Sequence, residues 1–356
     1  MNFEDFIIPP KQIRTENWQI GDKIGNEIKE DSIVLLFVSD CRGADGEAES
    51  CDFTPVRSAF YNLSQLDFDI PVVDLGDLIS GKTPQDSHYI LQEVLSACHY
   101  KNAIPIVVGG STDFAFSLFS ALNFHQKDII YTQISNVVSL KQDDEMHENS
   151  FLSKILGSKN LAIKHYHHLG YQKHLNDPES VKLIKDVNFD IVRLAEMMTS
   201  TEKTEPYFRK ADLVTINCDA AESFGDAFSL HPQVNGLSRR EICAYMKEIG
   251  LGERLRSVGI FNYNINSDSV LNHQLLAQMI WYLIEGINIQ RSHPKEKSFE
   301  TFFVLIGEEQ YAFKRDVFSN LWYFGEDEDI DRCIPCSRSD FEDAKRGFLN
   351  SRFIRS

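Results

Sequence analysis

Short apolar runs rich in β-branched residues recur along the chain, at residues 33–38, 71–75, 104–108, 128–131, 160–163, 189–192, 212–216 and 256–261. Little polar alternation interrupts them. A strand that is apolar on both faces is covered on both faces, so the eight runs predict a mainly parallel sheet with helices on either side. The helical patterns fall between the runs. Residues 87–101 carry apolar positions at 90, 91, 94, 95 and 98, a helical spacing. Ser238-Arg239-Arg240-Glu241 spells a capping box that opens a helix running through Ile249 to Gly250. Asp177-Pro178-Glu179 reads as an N-cap, a proline at the first helical position and an acid in the first turn. Residues 272–289 predict a long, mostly apolar helix. Strand and helix alternating in this way predict one doubly wound, three-layer α/β/α domain.

Two segments break the pattern. Residues 141–149 are polar and predict an exposed loop. After about residue 293 the alternation stops, and an apolar stretch at 302–306, a turn, and Tyr311-Ala312-Phe313 read as a hairpin. The chain therefore divides into an α/β domain, 1–307, and a C-terminal extension, 308–356. Phe313, Trp322, Tyr323, Phe324, Phe341, Phe348 and Phe353 are more aromatic surface than a free tail carries, so the extension is expected to pack on the domain or on a neighbouring subunit. The rival expectation, a disordered tail, comes from the acidic run Glu326-Asp327-Glu328-Asp329.

Composition narrows the function classes. With 53 acidic against 36 basic residues the net charge is −17, which disfavours nucleic acid and anionic membrane surfaces as partners. No apolar stretch approaches the roughly 18 residues of a membrane span, and the N-terminal residues lack the pattern of a signal peptide, so a cytoplasmic location is expected. Seven scattered cysteines read as reduced structural thiols, Cys333 and Cys336 included. His165 and His167 would share one face of a strand and could bind a metal, although loop histidines without a ligand are the commoner case. No Gly-x-Ser-x-Gly or Gly-x-Gly-x-x-Gly occurs, which removes support for serine-hydrolase and dinucleotide readings.

In a parallel sheet, ligands gather at the carboxyl ends of the strands. Three strand ends here are unusual. Gly109-Gly110-Ser111-Thr112-Asp113 allows close backbone approach and offers Ser111 or Thr112 as a helix cap, or the turn as an anion site. Thr215, Asn217 and Asp219 lie at alternate positions of a strand. Asn262-Tyr263-Asn264-Ile265-Asn266 is rich in amides.

In this order the three strand ends resemble those of the ureohydrolases: arginase, agmatinase and formimidoylglutamase. Gly109-Gly110-Ser111-Thr112-Asp113 resembles the family's Gly-Gly-Asp-His-Ser, and Thr215-Ile216-Asn217-Cys218-Asp219-Ala220 resembles Ser-x-Asp-x-Asp-Ala. Gly236-Leu237-Ser238-Arg239-Arg240-Glu241 is similar to Gly-Gly-Leu-Thr-x-Arg-Glu, and Asn264-Ile265-Asn266-Ser267-Asp268 to Asn-Pro-x-x-Asp. Thr54-Pro55-Val56-Arg57 resembles an early Gly-Pro-x-x-Ile-Arg. The aromatic extension resembles that of a bacterial formimidoylglutamase-like branch. The resemblance implies an arginase-like fold with a mainly parallel eight-stranded sheet. It also implies a pair of manganese ions about 3.5 Å apart that activate a shared hydroxide against an amidine or guanidine carbon.

The positions that would hold those ions depart from the family. The first histidine falls on Thr112, three further ligands fall on Gln133, Ser135 and Val137, and the final pair falls on Asn217 and Asp219. The acid expected beside the substrate's cationic group falls on Asn262. Asp219 is thus the one retained anionic candidate, and one carboxylate cannot balance two divalent ions. The leading expectation is a pseudoenzyme without a cofactor. Its pocket would be lined by Thr112, Gln133, Ser135, Asn217, Asp219 and Asn262, and its partners would be a small-molecule ligand and further copies of the chain. A second reading is an active manganese-dependent hydrolase of linear amidines with its metals held differently. A third is an anion-binding module built on the Gly109-Gly110 turn.

Overall fold

The computed structural model describes residues 3–47, 51–223 and 225–354. Thirteen strands are found among them: β1 (Ile7–Ile8), β2 (Ile33–Val38), β3 (Val72–Leu78), β4 (Ile104–Gly109), β5 (Ile129–Ile134), β6 (Ile163–Tyr171), β7 (Asp190–Arg193), β8 (Leu213–Asn217), β9 (Ser257–Phe261), β10 (Phe299–Ile306), β11 (Glu309–Asp316), β12 (Trp322–Phe324) and β13 (Ile334–Cys336). The helices are α1 (Thr54–Tyr61), α2 (Pro84–Tyr100), α3 (Ala115–His125), α4 (Phe151–Gly157), α5 (Pro178–Asp186), α6 (Leu194–Thr199), α7 (Thr201–Thr204), α8 (Pro206–Arg209), α9 (Arg239–Gly250), α10 (Val270–Ser292) and α11 (Arg338–Lys345).

The main sheet runs β1-β3-β2-β4-β9-β8-β5-β6-β7. Eight of its strands are parallel, and β1 adds a ninth, antiparallel to β3. The sheet is therefore nine-stranded, where eight strands were expected. Two residues, Ile7 and Ile8, are too short a run to stand out in sequence.

Alternate residues of each strand feed two cores. Ile33, Leu35, Phe37, Ile106, Val108, Val214 and Ile260 pack on α9 and α10. Val34, Leu36, Val38, Val107 and Leu213 pack on α2, α3 and α4 on the other face. The expected caps are present. Ser238 accepts from the Glu241 backbone and Glu241 returns the bond at the start of α9, and Asp177 accepts from Glu179 and Ser180 N at α5. Arg57 of the early motif is structural: its Nε donates 2.8 Å to Asp74 of β3, and its guanidinium lies 4.1 Å over the Phe37 ring.

The strand expected at 160–163 instead runs Ile163–Tyr171. His165, His167 and His168 hid it, because a polar half-strand lacks the apolar run that marks the others.

Strands β10 to β13 form a separate antiparallel sheet in the order β10-β11-β12-β13, which starts at Phe299. Residue 307, the expected boundary, lies in the turn of its first hairpin. Trp322 stacks on Phe341 at 4.6 Å and Phe324 on Phe353 at 4.3 Å. Phe348 does not pack on the domain: it is 72% exposed in the single chain. The sheet is tied to the domain by Arg209, 1% exposed, which donates to the carbonyls of Trp322 and Cys336, and by Lys210, which donates 2.6 Å and 2.8 Å to those of Ile330 and Cys333. Among the described residues no helix is long and apolar enough to cross a membrane.

Candidate functional site

The four central strands β4, β9, β8 and β5 bring the expected residues to one end of the sheet. At the end of β4, Gly109 and Gly110 have φ of +86° and +71°, conformations open to glycine. They swing Thr112 toward the end of β9, where its backbone N–H donates 2.9 Å to Asn262 Oδ1. Ser111 sits at the N-cap position but makes no side-chain cap bond. Asn262 itself is left-handed, with φ of +57°. At the end of β8, Asn217 Oδ1 accepts from Asp219 N at 2.8 Å, closing a tight turn that buries Asp219. Gly236 lets Leu237 N reach Ala220 O at 2.8 Å; a Cβ there would lie 2.5 Å from the Ala221 carbonyl carbon.

Asp219 is 3% exposed. Its Oδ1 accepts from His231 N at 2.9 Å and its Oδ2 from Asn262 Nδ2 at 2.7 Å. Burial raises its pKa, and these donors offset only part of the rise. The same Asn262 Nδ2 donates 2.8 Å to Glu148 Oε2, and Glu148 Oε1 pairs with His231 Nε2 at 2.8 Å. The hydrogen bond to Glu148 carries the His231 pKa up to about 9, so the imidazole is a cation at neutral pH.

Gln133 and Ser135 belong to a neighbouring circuit at the end of β5. Gln133 Oε1 accepts from Tyr166 OH at 2.7 Å, Tyr166 OH meets His168 Nδ1 at 2.8 Å, and His168 Nε2 meets Ser135 O at 3.1 Å. Ser135 Oγ turns back to Val137 O at 2.9 Å. The buried Ser111 Oγ, Thr112 Oγ1 and Gln133 Nε2 have no protein partner. A second buried circuit flanks the site: His88 bridges Asp113 Oδ2 (2.9 Å) and Ser117 Oγ (2.7 Å).

Glu148 and His231 were not expected here. Glu148 lies in the 141–149 loop, which is exposed along much of its length yet returns over the site, where Glu148 N donates 2.8 Å to Gly43 O. A signal existed: the loop follows β5, so it must leave from the carboxyl ends of the strands, where ligands gather. For His231 no spacing gives a signal.

No family model matches the chain. No curated protein matches it either. Solved structures do. Formimidoylglutamase from Bacillus subtilis superposes with a TM-score of 0.68 at 15% identity, over 78% of this chain and 95% of that one.

The chain has the arginase fold.

Trypanosoma cruzi formiminoglutamase, solved with Mn2+, gives a TM-score of 0.64 at 17% identity, covering 74% of this chain and 95% of its own. Proclavaminate amidino hydrolase from Streptomyces clavuligerus gives 0.64 at 14% identity, covering 79% and 98%. The neighbours are almost wholly covered, and part of this chain has no counterpart in them.

The donor set does not fit a two-manganese centre of the kind the resemblance implies. Gln133 and Ser135 are neutral and committed to Tyr166 and Val137, and Val137 offers no side-chain ligand. An amide NH2 group lies between the two carboxylates. Glu148, Asp219 and His231 do offer three donor atoms within 4.8 Å of one another, a geometry open to a single ion.

Proposed function

We propose that this arginase-fold chain is a formimidoylglutamase-like ureohydrolase that has lost its dinuclear metal chemistry and serves as a binding or structural protein. The observation that carries the reading is the Asn262 amide, which donates to Asp219 at 2.7 Å and to Glu148 at 2.8 Å. A metal centre needs carboxylate lone pairs aimed at the ion and a negative donor set. Here those lone pairs are spent on an N–H donor and on cationic His231. Ser111 Oγ, Thr112 Oγ1 and Gln133 Nε2, all lacking protein partners, favour a small polar ligand as the occupant. Further copies of the chain remain the other proposed partner.

A second reading rests on Glu148, Asp219 and His231 as ligands of one divalent ion in a hydrolase of linear amidines. It requires His231 to lose its proton and Asn262 to release both carboxylates. Equilibration with manganese followed by dialysis separates the two readings. The proposal expects substoichiometric manganese and no urea or formamide from arginine, agmatine or formimidoylglutamate. Stoichiometric manganese with turnover, abolished in Asp219→Ala, establishes the second reading instead.

A further inference from the structure

The opposite end of the sheet carries a donor set that the first reading of the site does not use. His165 and His167 lie on one face of β6, and Asp190 opens β7 beside them. His165 Nε2 is 2.9 Å and His167 Nε2 is 3.7 Å from the same Asp190 oxygen. Donor atoms of the three residues lie within 4.8 Å of one another. His167 Nδ1 lies 3.0 Å from the Tyr207 carbonyl, which can only accept. Thr132 Oγ1, which donates 2.7 Å to the same carbonyl, lies 3.1 Å from Nδ1, so these partners fix the ring with Nε2 facing the carboxylate, the way an outer partner orients a ligating imidazole. Asp190 Oδ2 already meets His165 Nε2 at 2.9 Å, so a cation there would take the place of the proton in that contact. The three residues line a cavity of about 490 Å³ flanked on its far side by Cys333, Ile334, Pro335 and Arg352 of the C-terminal extension.

We propose that His165, His167 and Asp190 bind a zinc-class divalent cation, with the fourth position open to that cavity. Two imidazoles and one carboxylate are donors of the borderline kind that zinc takes, and three protein ligands leave a site for water. Arg352 is one competitor: its Nε lies 3.9 Å from the same Asp190 oxygen, and its guanidinium is held 4.1 Å over the Tyr207 ring. The cation and the C-terminal segment therefore contend for one carboxylate, and metal occupancy would be felt in how firmly that segment is seated.

The test uses the full chain, loaded with Zn2+ and dialysed against metal-free buffer, with bound zinc counted by mass spectrometry. Co2+ loading of the wild-type protein gives a readout free of any folding defect in a variant. The expected results are one retained zinc per chain, intense tetrahedral cobalt bands, loss of both in His165→Gln/His167→Gln, and retention in Glu148→Gln. Arg352→Gln should tighten zinc binding by about tenfold, the effect that one close charge has on a proton at such a carboxylate. Absence of retained zinc, a pale octahedral cobalt spectrum, or zinc that survives in the double histidine variant overturns the proposal.

Discussion

At the carboxyl ends of β4, β9, β8 and β5, the buried polar groups are amides, hydroxyls and Asp219, covered by the domain's own Glu148 and His231. Toward the amino ends of β6, β7 and β8 the polar groups are imidazoles, Asp190, Arg209 and Lys210, and the C-terminal sheet closes over them. The first end is where a parallel sheet offers its ligand site, yet there every lone pair of Asp219 that the structure engages meets an N–H. The second end is ordinarily structural, yet it holds two imidazoles beside a carboxylate. Donor chemistry and strand direction thus point to different ends.

The largest test of this contrast is Arg209→Ala. It leaves Glu205 without its buried partner and strips a donor from the Trp322 and Cys336 carbonyls. Removing one member of a buried ion pair costs about 3–5 kcal/mol. Urea denaturation should register that loss, and the C-terminal sheet should become sensitive to protease. A loss near zero would mean that the sheet does not seal the amino end.

Asp219→Ala comes next. It leaves His231 N and one Asn262 donor bond unpaired in a buried setting, for about 1–3 kcal/mol. If manganese raised the melting temperature of the wild type and not of this variant, the carboxyl end would be a working metal site.

A smaller effect concerns pH. The His231 pKa is raised from 6.5 to about 9 by Glu148, so its stabilisation is complete below pH 6.5 and is lost as pH rises through 9. The side chain is 46% exposed, and solvent screening holds the effect to about 1 kcal/mol. Unfolding free energies of the wild type and Glu148→Gln should converge at alkaline pH. A gap of constant size from acid to alkali would remove the ion pair from the account. The smallest effect is expected at Phe348, 72% exposed, where Phe348→Ser should change stability by about 0.5 kcal/mol or less. A larger loss would mean that this ring is buried against another chain.

Much of the fold was legible because both faces of a central parallel strand are apolar. The runs at 33–38, 104–108, 212–216 and 256–261 each fall within a residue of an observed strand boundary. Strand β6 was misplaced because its histidines find partners in Asp190, the Tyr207 carbonyl and the Ser135 carbonyl, pairings across the sheet that no local pattern reports. The same limit applied at the site. Thr112, Asn217, Asp219 and Asn262 converge as strand order implied. Gln133 and Ser135 turn to Tyr166 and Val137. Glu148 is 71 residues from Asp219 in sequence, and only the return of an otherwise solvent-facing loop brings it in.

Anomalous diffraction at the zinc and manganese edges, from one crystal soaked in both metals, bears most directly on the contrast between the two ends. The account predicts a single zinc peak among His165, His167 and Asp190, and no manganese peak beside Asp219 or Gln133. A pair of manganese peaks about 3.5–4 Å apart at the carboxyl ends of the strands would contradict it.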